Sequence, residues 1–433
     1  MSAGAMAQGT EGWPSPVRAW WVMFVLFITA IVYYTDRFIL NLLVDPIRAD
    51  LQITDTQVSL LQGVAFTFVY AMAGLPLGRF ADILPRRRVM VAAVTVWSLA
   101  TVACGFARSF EELFVARMLV GIGEAALAPA AVSIMGDYFP PHRRGTAIGV
   151  FMTGMSVGGS LSIVAGGGLL QAANQGMFAA LPGFADLAPW RSVLILLAVP
   201  SLLVIALLLT VREPVRQGGP ETGQRAPLKD VIDGFVDRRH ILVPLYVAVA
   251  VASVGDCAVH NWTPSLLSRR FDYTPGEIGA ILGGVSLAMG VIGSLFGGML
   301  SDHLYRRGGS RARLLAASVF ALLMIGGSMV ALAGNGLAAI ALYALWAVMS
   351  SIAATIGVTM IQETITNPMR GVGTSLVSFG NILVGMSLGT SLTAVFTDYV
   401  YGDPLAVGWS ITSVAAPAGL ISALMFYRAL RRS

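Results

Sequence analysis

Charge is scarce in this sequence. Only 12% of its 433 residues are Asp, Glu, Lys or Arg, where soluble domains carry about 25%. So little polar surface cannot coat a water-soluble globule, and the mean hydropathy of +0.75 agrees. Cysteine is nearly absent too. Two residues exclude a secreted disulfide scaffold, and Cys104 and Cys257 sit inside apolar runs as small hydrophobes. There is no Gly-x-x-x-x-Gly-Lys-Ser/Thr phosphate loop, no His/Cys cluster with metal-ligand spacing and no nucleophile elbow. Gly121 and Gly123 lack the rest of a dinucleotide fingerprint. ATP hydrolysis by this chain, a metal, a cofactor and enzymatic chemistry are therefore not expected.

What fills the chain is hydrocarbon. Runs long enough to cross ~30 Å of lipid occur at 19–43, 57–81, 88–107, 112–136, 145–172 and 190–211, then at 241–267, 277–301, 313–333, 337–362, 372–397 and 408–427. They predict an all-α integral membrane protein of twelve spans. Met1–Trp13 is polar and Gly-rich, without the apolar core of a removable signal peptide. Of the 28 Lys and Arg residues, Arg37 and Arg117 fall inside spans and Arg48, Arg108, Arg191, Arg269 and Arg270 fall on one side. The others collect on the opposite side, including Arg86-Arg87-Arg88, Arg143-Arg144 and Arg306-Arg307. By the positive-inside rule that side is cytoplasmic and holds both termini. The net charge of +5 thus reports topology, and no nucleic-acid partner is expected. The loop at 212–240 separates residues 1–211 from residues 241–433 as two six-helix halves. Within it Leu228, Val231, Ile232, Phe235 and Val236 share one helical face, which predicts an amphipathic helix along the membrane surface.

The halves share an element. Gly78-x-x-x-Asp82 with Arg86 and Arg87 recurs 220 residues later as Gly298-x-x-x-Asp302 with Arg306 and Arg307. The Gly admits a close neighbouring helix, and the Asp can pair in one conformation and release in another, so the element is expected to be a cytoplasmic gate. This signature resembles that of the major facilitator superfamily. The resemblance implies two pseudo-symmetric halves rocking about a central site. Gly154, Gly158 and Gly159 lack the preceding Pro of the superfamily's antiporter signature, so antiport is not implied.

Charges at membrane depth cost ~2.5–3.5 kcal/mol each on insertion scales and point to function. Asp36 and Arg37 lie in the first span; Arg117, Gly121 and Glu124 share one face of the fourth. Two acids and two bases can be neutral when paired. Read for function, Asp36, Arg37, Arg117 and Glu124 couple transport to protons; read structurally, Asp36–Arg117 and Arg37–Glu124 are fixed pairs. Around them, Tyr34-x-Asp36-Arg37-Phe38, Asp45-Pro46-Ile47, Asp55-x-Gln57-x-x-Leu60-Leu61-Gln62, Trp97–Thr101, Gly121–Ala125 and Asp137-x-Phe139-Pro140 are similar to the spinster branch, including its bacterial homologues. That similarity implies transport of lysolipids or sphingoid-type lipid amphiphiles, with those four residues coupling it to protons. The quartet is also similar to that of organic-anion symporters, so a proton symporter of small organic anions is an alternative. A non-transporting membrane sensor with a carrier fold is another.

Candidate substrate contacts are Tyr33 and Asn41 in the first span, Asp256 and His260 one turn apart in the seventh, and Tyr343 and Trp346 in the tenth. The second half supplies few candidate charged ligands and the first supplies the Arg pair, so a cavity polar on the first-half wall and apolar on the other is expected, which suits an amphiphile with Arg37 or Arg117 near an anionic head group. The expected partners are an amphiphilic lipid or organic anion, protons and membrane lipids, and the chain is read as a monomer.

Overall fold

A computed structural model describes residues 13–215, 228–365 and 370–432. Helix is dictated by the solvent, since in hydrocarbon every backbone N–H and C=O must be satisfied within its own segment. Among the described residues, eleven stretches are long and apolar enough to cross a membrane. One of them, Pro275–Leu332, is long enough for two spans. Its helix breaks at Gly309, whose φ of 62° only glycine adopts freely.

The spans are α1 (Pro16–Leu51), α2 (Asp55–Gln62 continued by Val64–Ile83), α3 (Arg86–Phe106), α4 (Phe110–Tyr138), α5 (Pro141–Asn174) and α6 (Pro189–Thr210). Then come α7 (Arg239–Phe271), α8 and α9 on either side of Gly309 in Pro275–Ser328, α10 (Gly336–Thr364), α11 (Leu376–Tyr401) and α12 (Pro404–Leu430). The loop expected between α8 and α9 is therefore mostly helical. Thr54 with Gln57 and Thr274 with Glu277 form capping boxes, and Ser109 and Asn335 cap α4 and α10. The amphipathic linker segment is helical over Leu228–Asp237; the side chains at 228–232 lie outside the described set.

Glycines let the helices touch. A Cβ on Gly123 of α4 would lie 2.7 Å from the Trp97 backbone nitrogen of α3, and one on Gly121 would lie 2.9 Å from the Phe66 carbonyl oxygen of α2. Gly158 of α5 is equally tight against Ile31 of α1, and there Thr35 Oγ1 donates to the Gly158 carbonyl at 3.1 Å. These contacts pin α1, α2, α3 and α4 around the intramembrane charges.

The two halves meet on the face opposite the basic loops. Arg269 of α7 donates from Nε to Asp45 Oδ1 at 2.7 Å, and from Nη1 and Nη2 to the two Asp55 oxygens at 2.6 and 2.8 Å. The Thr56 amide donates to Asp398 Oδ2 at 2.6 Å, and Gly167 of α5 packs directly on Gly279 of α8. Toward the basic face Gly149, Gly290 and Gly298 have open space where a Cβ would stand. Among the described residues, the contacts that join the halves gather toward the face opposite the basic loops.

Polar contacts at the basic face stay within each half among the described residues. Arg86 pairs with Asp137 and donates from Nε to Glu213 Oε1 at 2.8 Å, while the Arg87 amide donates to Glu213 Oε2 at 3.0 Å. Burial works against the Glu213 carboxylate, but these donors outweigh it and hold the carboxyl below its usual range. In the second half Arg313, not Arg306, takes the acids. It donates to Glu363 at 2.6 Å and approaches Asp302 at 3.5 Å. Arg306 is exposed. Gly78 and Asp82 lie outside the residues whose surroundings are described, so in the first half the expected gate element is seen only through Arg86 and Arg87.

Candidate transport site

Between the halves lies a cavity of about 540 Å³. Tyr34, Phe38, Met152 and Met155 furnish a largely apolar wall from the first half. Asp256, His260, Ser286 and Ser350 furnish a polar wall from the second, which reverses the expected polarity of the two walls because the first-half arginines turn away from the cavity, and Asn41 and Asn261 stand at its closed end. Asp256 Oδ1 accepts from Trp346 Nε1 at 2.8 Å and from Ser350 Oγ at 2.5 Å. The His260 ring packs edge-on to Tyr343 with centroids 5.1 Å apart, and its Nδ1 lies 3.0 Å from the Asp256 carbonyl oxygen. Tyr343 in turn meets Ser286 at 2.5 Å. Asn41, Asp256 and His260 are therefore on the cavity wall. Trp346 and Tyr343 are wholly buried and brace that wall from behind. Tyr33 is also wholly buried and faces the charged quartet.

Asp36, Arg37, Arg117 and Glu124 are brought together, but not on the cavity. All four are at most 4% exposed, and none lines it. The expectation that Arg37 or Arg117 would meet a substrate head group is corrected by this placement: the α4 face turns to α1, α2 and α3. Tyr34 stands between, lining the cavity on one side and lying 5.6 Å from the Arg37 guanidinium on the other.

Arg37 sits in an aromatic cage, with its guanidinium carbon 4.9 Å from the Tyr33 ring centre, 4.5 Å from Phe66 and 4.7 Å from Tyr70. Cation–π contacts of this kind are worth about 2 kcal/mol when desolvated. Arg117 shares the Phe66 ring at 5.6 Å. Arg37 Nε lies 3.2 Å from Glu124 Oε2, yet the two are not aligned for a hydrogen bond. Asp36 accepts from Thr101 Oγ1 at 2.8 Å, and the Asp36–Arg117 pair does not form among the described residues. Nε and Nη2 of both arginines, both Glu124 oxygens and Trp97 Nε1 are buried without a hydrogen-bond partner. Such groups are few in folded proteins, and here they crowd one spot.

A second polar network crosses the midline. Gln62 Nε2 donates to Asn41 Oδ1 at 3.2 Å, Asn41 Nδ2 to Asn261 Oδ1 at 2.8 Å, and Asn261 Nδ2 to Thr390 Oγ1 at 2.7 Å. Asn41 and Asn261 are separated by the same 220 residues as Gly78 and Gly298, a signal in the sequence that could have paired them. Nothing in the sequence marked Phe66, Tyr70, Ser286 or Thr390, which are ordinary span residues until the helices assemble.

The Major Facilitator Superfamily profile matches residues 26–390. The chain belongs to this superfamily. It is 26% identical to an MFS-type efflux pump of Mycolicibacterium smegmatis over 96% of this chain and 94% of that one. It is 26% identical to protein spinster of Drosophila melanogaster over 66% of this chain and 46% of that one. A hexuronate transporter of Bacillus subtilis is 24% identical over 73% of this chain and 72% of its own. In structure, a bacterial homologue of the human lysosomal transporter spinster, inward-facing and unoccupied, superposes with a TM-score of 0.78 at 22% identity, covering 96% of each chain. The superfamily fold and the spinster resemblance read from the sequence are both upheld.

Proposed function

We propose that this chain is a proton-coupled secondary transporter moving lysolipids or sphingoid-type amphiphiles by alternating access, without chemically converting its cargo. Its basic face is taken as cytoplasmic, in a bacterial inner membrane. The observation that carries the reading is the division of labour across Tyr34. On one side is a cavity with an apolar wall and a polar wall, matched to an amphiphile. On the other is a sealed acid–base quartet with unsatisfied polar atoms, which a change of protonation or of partners would relieve. Cargo that shifts Tyr34 also alters the cage around Arg37, which links occupancy to the quartet. Asp36 and Glu124 are the proton carriers in this scheme, and Arg37 and Arg117 their alternating partners. The likeness to the mycobacterial efflux pump fits export.

The likeness to the hexuronate transporter favours a second reading, symport of small organic anions, but no Arg among the described residues lines the cavity to receive one. Proteoliposomes carrying a labelled lysolipid and an imposed pH gradient test the proposal. Flux that the gradient accelerates, and that Asp36→Asn uncouples, is expected. Gradient-driven flux of a sugar acid alone would transfer the assignment to the second reading, and no flux of either would leave a sensor.

A further inference from the structure

Among the described residues, Asp256 is the one carboxylate on the cavity and His260 the other titratable side chain. No Lys or Arg lines it, and Asp256 forms no ion pair among the described residues. Trp346 and Ser350 both donate to Oδ1, while Oδ2 makes no hydrogen bond and is not buried. The side chain is thereby held at one oxygen with the other turned to the cavity. A carboxylate anchored from behind and unpaired in front leaves a place for a ligand that brings the counter-charge. Tyr34 and Phe38 line the same cavity, and aromatic faces attract ammonium groups.

We infer that Asp256 is the specificity determinant for the head group, selecting amphiphiles that carry an ammonium, as single-chain zwitterionic or cationic lipids, over anionic ones. This rests on the amphiphile reading above and narrows it. The ammonium would sit between Asp256 Oδ2 and the two rings, with the hydrocarbon chain along Met152 and Met155. Trp346 is a positioning residue that orients the carboxylate without touching the ligand.

Binding of palmitoyl-lysophosphatidylcholine and palmitoyl-lysophosphatidylglycerol to purified protein in nanodiscs tests it, since the two share a chain and differ in head-group charge. The wild type should bind the choline lipid about tenfold more tightly, the equivalent of one modest charge contact. Asp256→Asn should remove that preference by weakening the choline lipid alone. Wild-type affinities that are equal, or that favour the glycerol lipid, would overturn the inference while leaving the amphiphile reading in place. Failure of the wild type to bind either lipid would overturn both. A preference that survives in Asp256→Asn, or in Asp256→Ala should the first variant not fold, would show that another group reads the charge.

Discussion

Replacing Arg269 by Gln tests whether one side chain holds the molecule closed on its non-basic face. The guanidinium is 8% exposed and bridges Asp45 and Asp55, and Asp55 is fully buried. Removing one partner of a buried pair costs about 3–5 kcal/mol because the other charge is left uncompensated. Two features pull the value to the low end. Asp45 is 29% exposed and can rehydrate, and Arg48 remains 3.4 Å from Asp55. The cost of about 3 kcal/mol falls on the closed arrangement alone, since opening this face hydrates both acids. That shifts the closed-to-open ratio by roughly a hundredfold, at 1.4 kcal/mol per factor of ten. Spin labels at Gln52 and Leu405, one in each half and both exposed, would report it as a longer-distance population in pulsed dipolar spectroscopy. Arg269→Lys should be intermediate, having one charge but no fork. A distance distribution unchanged in a folded Arg269→Gln protein would refute the clamp.

Three further outcomes follow from particular contacts. Asp36→Asn keeps the acceptor for Thr101 Oγ1 and should melt like the wild type. It should lose the acceleration of flux by a pH gradient, and an unchanged gradient response would exclude Asp36 as the coupling carboxylate. Gly123→Ala drives a Cβ against the Trp97 backbone; overpacking of this kind costs about 1–3 kcal/mol, read as a lowered Tm, and an unchanged Tm would mean α3 and α4 can separate freely. The Glu213 carboxyl titrates below its usual range, so its stabilising contribution is present above that range. It is lost as pH falls through the lowered value, and Glu213→Gln should flatten that acid limb of the stability profile.

Much of the site was legible because charge inside lipid is conspicuous. Asp36, Arg37, Arg117 and Glu124 stand out in runs of apolar residues, and helical spacing alone puts Arg117 and Glu124 on one face. Their partners were less legible. Arg37–Glu124 forms as one of the expected pairs, whereas Asp36 turns to Thr101, which the sequence marks as the end of the Trp97–Thr101 stretch but not as a partner of a charge. Arg269, Asp45 and Asp55 read as loop and span-end charges, and only folding makes them a clamp between halves.

The sequence by itself determined that the chain lives in lipid, that its hydrophobic runs make twelve spans in a duplicated plan, and which charges are submerged. Run length and charge placement are one-dimensional quantities, and a bilayer responds to them directly. Tertiary structure decided which face is closed and that the arginines stand behind the cavity wall while Asp256 stands on it. Those facts depend on helix rotation and on contacts between residues from about ninety to more than two hundred positions apart. Glycine packing and shared polar networks set that rotation once the spans assemble.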